Sequence, residues 1–325
     1  MTEALEKKTV NKNQVDFVLI SLCTCKRPLM LRECLLSINN TEISENIKVE
    51  IIVVDNDSSK TAQPVVFDLA DKVKYPIKYF VEEERGISKA RNKVLDEAVK
   101  TDATHILFFD DDELLTSTTL KEHIKLYNEN NEAYISSGPT LNKFCVTYPE
   151  YIKKNICFKQ KTTKKTGQIR NNCAAGNVFF PISLIKDYGL RFSEKYVFMG
   201  GEDGEFFKRA SELGFTIVWN NEAVIYEVVP PARANIDFVL KKSYYNGFAG
   251  VYYKFKNKTL TLKKFVYLLK ISFTFMFNIL YVIPSLLFGF TEFLNAIGMC
   301  FRTKGKIDGV LSNRPYNFYE NIYGE

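Results

Sequence analysis

The sequence predicts an α/β protein with a doubly wound, mostly parallel sheet, followed by a C-terminal membrane-associated helical region. Short apolar runs alternate with helical patterns through the first two thirds of the chain, an order typical of parallel strands joined by helices. Acidic residues directly follow two of these runs, and such sheets bind ligands beyond the carboxyl ends of their strands. Beyond residue 230 the chain becomes basic and then strongly apolar.

The individual elements follow from the hydrophobic pattern in chain order. Pro28 begins a helix after the first strand, because proline suits the first turn of a helix. A second helix runs from Ile87 to about Val99, and a short one follows Pro181. Apolar runs predict strands at residues 17–22, 49–54, 77–81 and 106–109. The regular pattern returns at residues 177–180, and further apolar runs follow at 215–219 and 223–229.

Residues 141–170 follow neither a strand nor a helix period and carry eight basic residues against Glu150 alone, so we interpret them as a basic insertion. We therefore expect three parts. These are a polar leader at 1–14, a main domain at 15–230 that contains the insertion, and a basic helical and membrane-associated region at 231–325.

The 325 residues have a formal net charge of +6 that is unevenly distributed. Residues 233–325 carry thirteen basic against five acidic side chains, so an acidic body is joined to basic segments. This arrangement argues against nucleic acid as a partner and favours an anionic membrane surface. Seven irregularly spaced cysteines predict neither a disulfide framework nor a zinc site. Because the first fifteen residues lack the apolar core of a signal peptide, we expect the main domain at the cytoplasmic face of the cell (inner) membrane.

Four consecutive carboxylates, Asp110, Asp111, Asp112 and Glu113, follow the fourth predicted strand, and we expect a helix behind them. Such groups repel one another unless a positive charge lies among them. A Mg²⁺ or Mn²⁺ ion that also holds phosphate oxygens would supply it. The alternative is a solvated acidic turn that caps the next helix.

Three further positions suggest chemistry. Asp203 follows two glycines and Glu202 and could act as a general base. Alternatively, it could simply lie at a helix N-terminus, where the helix dipole stabilises a negative charge. Asp55, at the end of the second strand, could accept hydrogen bonds from a ribose or a base. Arg91 could pair with a diphosphate. Taken singly, Asp55 and Arg91 could equally be a surface charge or a helix cap.

The order of five motifs resembles the family 2 glycosyltransferases of the GT-A fold, and is most similar to bacterial enzymes that build exopolysaccharide or lipopolysaccharide sugars. The resemblance covers residues 15 to about 230. Its motifs are Thr24-Cys25-Lys26-Arg27-Pro28, Val53-Val54-Asp55-Asn56-Asp57, Ala90-Arg91-Asn92, Phe108-Phe109-Asp110-Asp111-Asp112-Glu113 and Gly201-Glu202-Asp203.

The resemblance implies a nucleotide-sugar donor, a Mg²⁺ or Mn²⁺ cofactor and, for most members, inversion at the sugar. By resemblance, Asp110 and Asp112 match the metal motif and Asp203 the catalytic base. Thr24 and Asp55 match nucleotide-contacting positions, and Arg91 and Asp111 are placed with the nucleotide-sugar-binding residues. The Gln-x-x-Arg-Trp motif of the processive synthases is missing from the sequence, which favours the transfer of a single sugar.

We therefore predict an inverting glycosyltransferase that moves one sugar to a hydroxyl of a glycan acceptor, with a lipid-linked acceptor as the expected class. A sugar-nucleotide pyrophosphorylase is one alternative, but it would need a glycine-rich loop after the first strand, where the chain has Thr24-Cys25-Lys26-Arg27-Pro28. A catalytically inactive, membrane-bound scaffold that binds a sugar nucleotide is the other. A scaffold without catalytic activity would have no physical reason to keep the carboxylates of Asp110 and Asp112 crowded together.

Residues 271–301 contain one charged residue, Glu292, and have basic residues on both sides. A single span would place one basic cluster outside, against the positive-inside tendency. We therefore expect a helical hairpin that enters and leaves from the cytoplasmic face, with Pro284 near its turn. The alternatives are a tilted single span kinked at Pro284 and a soluble, buried helix pair.

Overall fold

The computed structural model describes residues 15–130, 134–158, 164–196, 198–256 and 261–320. The chain divides into two compact units. The first comprises Met1–Lys143, Lys161–Val197 and Glu202–Val228, and the second comprises Phe144–Gln160, Phe198–Gly201 and Val229–Glu325. Residues 144–160, from the predicted basic insertion, are therefore grouped with the C-terminal helices.

Eleven strands are found among the described residues: β1 (Phe17–Thr24), β2 (Lys48–Asp55), β3 (Ile77–Val81), β4 (His105–Phe108), β5 (Glu113–Leu115), β6 (Tyr134–Ser137), β7 (Thr140–Phe144), β8 (Ile169–Arg170), β9 (Val178–Pro181), β10 (Thr216–Trp219) and β11 (Ile225–Val229). Eight of them form one sheet in the order β3-β2-β1-β4-β9-β6-β10-β8. The first four of these are parallel, β6 is parallel to β10, and β9 and β8 are antiparallel to their neighbours. The predicted α/β class with a mostly parallel sheet is confirmed.

The helices of the first unit cover both faces of this sheet. They are α1 (Pro28–Ile38), α2 (Gln63–Leu69), α3 (Ile87–Ala98), α4 (Thr119–Asn128), α6 (Ser183–Lys186) and α7 (Glu202–Glu212). One apolar core joins Leu19 of β1 to α3 and α7, and the other joins Val18 to α1 and α4. Because neighbouring residues of β1 point to opposite faces, its eight buried residues serve both cores. The sheet is therefore doubly wound, as expected.

The prediction of a helix directly behind the four carboxylates is wrong. Strand β5 begins at Glu113, and helix α4 starts only at Thr119. Asp110, Asp111 and Asp112 form a tight turn between the two strands, in which the Glu113 N–H donates to the Asp110 carbonyl oxygen at 3.0 Å. Glu113 then pairs with Glu227 of β11 in the second sheet, which has the order β5-β11-β7.

The described residues of the second unit form four α-helices: α5 (Glu150–Lys153), α8 (Ile236–Phe255), α9 (Leu262–Ser285) and α10 (Phe290–Leu311). Helices α8 and α10 approach closely at glycines, since a Cβ on Gly247 would lie 1.9 Å from the carbonyl oxygen of Arg302. Helix α9 pairs with α10, because Asn278 Nδ2 donates to Thr303 Oγ1 at 2.7 Å and to the Met299 carbonyl oxygen at 3.3 Å.

Helices α9 and α10 are joined by a short turn at Leu286–Phe288 and by Gly289, whose φ is +99°. Pro284 lies in the last turn of α9, just before this connection. Within the described parts of the chain, residues Leu262–Phe288 are the one helical stretch long and apolar enough to cross a membrane, and 11% of its most apolar window is buried. Phe273, Phe277 and Leu287 are among its exposed side chains.

Candidate active site

The carboxyl ends of β1 and β2 bring Thr24 and Asp55 side by side. The parallel register pairs these two residues, each the last of its strand. The Thr24 hydroxyl donates to Asp111 Oδ2 at 2.7 Å, with both side chains buried. The end of β1 is thus tied to the acidic turn that follows β4.

Arg27 supplies a positive charge to this turn. Its Nη2 lies 2.5 Å from Asp111 Oδ1, and its Nη1 donates to Asp112 Oδ2 at 3.2 Å. Burial raises the pKa of Asp111 to about 7, while Arg27 acts in the opposite direction. Asp111 is fully buried between Thr24 and Arg27, so the structure gives it protein partners where we expected a nucleotide sugar.

Arg91 supplies the second positive charge. Its guanidinium lies between Asp110 and Glu202, at 3.1 Å from Asp110 Oδ1 and 2.5 Å from Glu202 Oε1, and its side chain is 6% exposed. Burial raises the pKa of Glu202 to about 7, and Arg91 opposes that shift. Since both partners of Arg91 are carboxylates, its geometry favours holding them in place over the direct diphosphate contact that we expected.

Asp203 follows Glu202 in the first turn of α7 and is partly exposed. Its Oδ1 accepts the N–H of Gly204 at 2.7 Å. Gly204 leaves room beside it, because a Cβ there would approach only the Asn172 amide, at 3.7 Å. A partly exposed carboxylate next to an ion pair that anchors its helix is suitably placed to meet a substrate from solvent.

Asp55 is fully buried at the end of β2. Its Oδ2 accepts the Ala62 N–H at 3.0 Å and the Tyr79 hydroxyl at 2.8 Å. Its Oδ1 lies near the backbone of Asp57 but has no hydrogen bond of good geometry among the described residues. Burial raises the pKa of Asp55. A buried acceptor oxygen of this kind is costly unless a ligand donates to it.

The predicted residues therefore fall into linked contacts at one edge of the sheet: Thr24 with Asp111, Asp111 and Asp112 with Arg27, and Asp110 through Arg91 with Glu202, the neighbour of Asp203. Sequence reasoning missed the roles of Arg27 and Glu202. Arg27 could have been found from its position. It is a basic residue just after the end of the first strand, and the acidic cluster follows the end of another strand of the same predicted sheet. For Glu202 the signal was its place beside Asp203, but nothing in the spacing pointed to Arg91.

The acidic turn could hold a divalent cation only if a bound ligand supplied some of the oxygen atoms that coordinate it. Among the described residues no group of three or more His, Cys, Asp or Glu side chains could hold a metal ion. Asp110, whose side chain is 38% exposed, and Asp112 still offer the hard oxygen donors that Mg²⁺ and Mn²⁺ prefer. One or two carboxylates completed by substrate phosphates is the usual set for Mg²⁺. The donor set is therefore compatible with a cation brought together with a diphosphate.

Sequence comparisons identify relatives of the chain. The family model described as "Glycosyl transferase family 2" matches residues 20–189. The chain is 27% identical over 235 residues to the succinoglycan biosynthesis protein ExoM of Rhizobium meliloti (strain 1021), covering 72% of this chain and 74% of that protein. It is 28% identical over 224 residues to the minor teichoic acid biosynthesis protein GgaB of Bacillus subtilis (strain 168), covering 61% of this chain but 24% of GgaB.

Solved structures share the fold at low sequence identity. S. aureus TarS 1-349 in complex with UDP-GlcNAc is 15% identical with a TM-score of 0.52, covering 90% of this chain and 91% of that one. The mannosyltransferase PcManGT from Pyrobaculum calidifontis, in complex with GDP-Man and Mn²⁺, is 18% identical with a TM-score of 0.53, covering 75% and 65%. These matches confirm the predicted GT-A-like fold.

Proposed function

Because the chain belongs to glycosyl transferase family 2, we propose that it transfers one sugar from a nucleoside-diphosphate donor to a hydroxyl of a glycan acceptor in cell-surface polysaccharide synthesis. The names of ExoM and GgaB, which refer to succinoglycan and teichoic acid biosynthesis, support the pathway class. The observation that carries the proposal is the linked set of contacts that joins Thr24, the acidic turn and the start of α7 at one sheet edge. Asp55 lies beside Thr24 in the register of the strands.

The donor nucleotide would bind where Asp55 and Thr24 end their strands. Asp55 Oδ1 is a buried acceptor without a good partner of its own, so it suits an N–H of a base or a hydroxyl of a ribose. Structures of the same fold that hold UDP-GlcNAc or GDP-Man support a nucleotide-sugar donor. Asp111 would act indirectly, by holding Arg27 against the turn.

Asp110 and Asp112 are the residues that would hold a Mg²⁺ or Mn²⁺ ion, with the remaining oxygens coming from the donor diphosphate. A bound divalent cation supplies charge stabilisation for a leaving diphosphate. Arg91 and Arg27 keep the flanking carboxylates in place, so that Asp110 faces solvent with its charge partly neutralised on the protein side.

Asp203 would take the proton of the acceptor hydroxyl as the acceptor oxygen attacks the anomeric carbon. A bond from that oxygen to the carbon forms, and the bond from the carbon to the diphosphate oxygen breaks, with its electron pair leaving on the diphosphate. A single displacement of this kind inverts the anomeric centre, by the geometric logic that also governs inverting glycosidases.

The hairpin of α9 and α10 would enter a membrane from the cytoplasmic face. Its turn carries exposed apolar side chains such as Leu287 and Phe288, while Arg302 and Lys304 mark the beginning of the charged part of α10. From Gly289 to Arg302 the helix extends about 20 Å, at about 1.5 Å a residue. That is well short of a hydrocarbon core of about 30 Å. A hairpin embedded in part of the bilayer suits a lipid-linked acceptor.

An assay of the purified full chain with a panel of nucleotide sugars tests the activity. We expect release of nucleoside diphosphate from one donor in the presence of Mn²⁺, and transfer of its sugar when a membrane extract supplies the acceptor. Donor binding without turnover, with or without the extract, would support the inactive scaffold. Formation of a nucleotide sugar from a nucleoside triphosphate and a sugar 1-phosphate would support the pyrophosphorylase.

A further inference from the structure

Helix α9 exposes apolar side chains on the side that faces away from α10. On its inner side, Ile271 packs with Val310 of α10, and Asn278 donates to Thr303 Oγ1. The outer side carries exposed side chains three, four or seven residues apart, which is the spacing of one helix face. This outer row consists of Val266, Leu269, Phe273, Phe277, Leu280 and Leu287. It extends about 32 Å at about 1.5 Å a residue.

Polar side chains follow one edge of the outer row. Lys263, Lys270, Thr274 and Tyr281 are exposed, and their spacing of seven, four and seven residues places them on one side of α9. A lysine can keep its ammonium group in water while its stem lies along apolar surface. Tyrosine is common at the level of lipid headgroups. The exposed side of α9 therefore has the composition of a helix at the interface with an anionic membrane.

Helix α10, in contrast, is covered by protein near the hairpin turn. Its Phe290 ring meets the edge of Tyr151 of α5, with 4.9 Å between the centroids. Leu294, one turn later, is buried in an apolar cluster with Ile152 of α5. The start of α10 is thus packed against α5 inside the second unit.

Helix α5 lies behind α10 as seen from α9. At about 100° a residue, Met299 and Thr303, which Asn278 of α9 contacts, lie on the opposite side of α10 from Phe290 and Leu294. A membrane that covers the outer row of α9 would therefore leave α5 on the water side of α10.

Charged side chains lie close to the hairpin turn on this water side. Glu150 and Lys154, on and just after α5, are 64% and 70% exposed. Glu292, in the first turn of α10, is also exposed. An entry with the turn leading would carry all three charges toward the hydrocarbon, where a charged side chain is costly.

We infer that α9 lies along the membrane surface, with its outer row in the acyl layer and α10 on the water side of α9. The inference rests on the proposed membrane association and specifies which surface of the hairpin meets the lipid. Both arms of the hairpin then stay at the side from which it enters. The apolar face of such a helix lies about 5–10 Å into the boundary between headgroups and acyl chains.

Depth measurements along α9 test this in the full chain. Leu269→Cys, Leu280→Cys, Leu287→Cys and Glu292→Cys, each in a cysteine-free background, carry an environment-sensitive fluorophore. Vesicles of phosphatidylcholine and phosphatidylglycerol in equal parts contain lipids brominated at shallow or deep acyl positions. We expect the three labels on the outer row to lie at one depth, within about 5 Å, and the label at position 292 to escape the deep quencher.

An entry with the turn leading gives a different profile and would overturn the inference. The label at Leu287 would then lie up to about 27 Å deeper than the label at Leu269, at about 1.5 Å a residue. The label at position 292 would be quenched as deeply as the label at Leu287.

Flotation with the same vesicles provides a second test. Leu269→Lys and Leu287→Lys should each weaken binding at least about tenfold, because each removes a leucine from the acyl layer. Thr274→Lys, on the polar edge of α9, is the matched control and should bind like the unsubstituted chain. A loss in Leu287→Lys with full binding in Leu269→Lys would contradict the inference.

The remaining outcomes separate this inference from the proposed function. A chain that does not float contradicts the membrane association itself, and this inference with it. A dimer in solution whose outer row is already shielded without lipid would make a second copy the partner of α9 and overturn the inference. Release of nucleoside diphosphate in detergent tests the transferase activity separately, and it should be unchanged in all three lysine variants.

Discussion

Arg91 of α3 and Glu202 of α7, which are 111 residues apart in the sequence, form an ion pair with Nη1 and Oε1 separated by 2.5 Å. The same guanidinium also reaches Asp110. One buried cation therefore connects the acidic turn after β4 to the first turn of α7. Within the first unit, this contact links the two parts of the site that we assign to the diphosphate and to the acceptor.

Replacing Arg91 should destabilise the fold. Arg91→Met leaves Glu202 buried without its partner, and breaking a buried pair costs about 3–5 kcal/mol. Arg191→Met is the matched control, because its partner Asp96 lies on the surface and such pairs contribute about 0–1 kcal/mol. Urea unfolding followed by the fluorescence of Trp219, the single tryptophan, measures both. Equal losses in the two variants would contradict the assigned role.

The metal assignment predicts that Asp112→Asn abolishes transfer while the fold stays intact. The amide keeps the shape of the side chain but loses the charge that attracts Mg²⁺ or Mn²⁺. Asp110→Asn should weaken the metal dependence in the same way, and Asp102→Asn, on the surface, serves as the control. The measurement is transfer as a function of Mn²⁺ concentration. Full activity in excess chelator, or in Asp112→Asn, would rule the assignment out.

For Asp111→Asn the expectation differs from that for its neighbours. From the sequence, alternation along an extended chain makes Asp111 the least critical of the three. In the structure it is fully buried against Arg27 and Thr24, so we expect its substitution to act through stability. The same unfolding measurement decides between the two expectations.

The two histidines should make the protein acid-sensitive. Burial lowers the pKa of His123 to about 4 and that of His105 to about 3, against about 6.5 in an unfolded chain. Below pH 6.5 both histidines bind protons in the unfolded chain, but they stay neutral in the folded chain until the pH approaches their lowered pKa values. The free energy of unfolding therefore falls by about 1.4 kcal/mol for each pH unit and each histidine.

His123→Gln should remove one of these contributions between pH 6.5 and 4. The difference between the variant and the unsubstituted chain should then change by about 1.4 kcal/mol per pH unit in that window and be constant above it. Unfolding at pH 7.5, 6 and 5 provides the test. A difference that stays constant across all three would show that His123 titrates normally in the fold.

Cysteine accessibility in intact cells tests the membrane hairpin. In a cysteine-free background, single cysteines at Lys264 and Lys306 should stay unlabelled by an impermeant reagent until the cells are permeabilised. A cysteine at Leu287, in the hairpin turn, should stay shielded even then. Labelling at position 306 from outside would show a span and reject the hairpin.

The sequence predicted β1 to β4 well, because buried strands of a parallel sheet are continuous apolar runs. Further apolar runs coincide with β9, β10 and β11, but β6, β7 and β8 were missed and the order of the strands in the sheet was not predicted. Residues 77–81 agree with β3 at both ends. The strand after the acidic turn was missed because Glu113-Leu114-Leu115 is short and is stabilised by pairing with β11, a partner 112 residues later. Local pattern carries no information about such a partner.

The site could be predicted as a set of residue types but not as a network. The carboxylates at 55, 110, 112 and 203 stood out by their places after strands or glycines. Arg91 was noticed as a cation, but its two carboxylate partners depend on how α3 and α7 pack over the same face of the sheet. The burial of Asp111 likewise depends on Arg27, which only the end of β1 brings to the turn.

The most direct test of the central claim is the turnover of Asp203→Asn beside that of Glu202→Gln and Glu212→Gln, on the donor that the panel identifies. Asp203→Asn should lower kcat by about two to four orders of magnitude, with nucleoside diphosphate affinity unchanged. Glu212→Gln, on the exposed end of the same helix, should leave kcat unchanged. If Asp203→Asn keeps its rate while Glu202→Gln loses it, the base is Glu202 and the assignment of Asp203 is wrong.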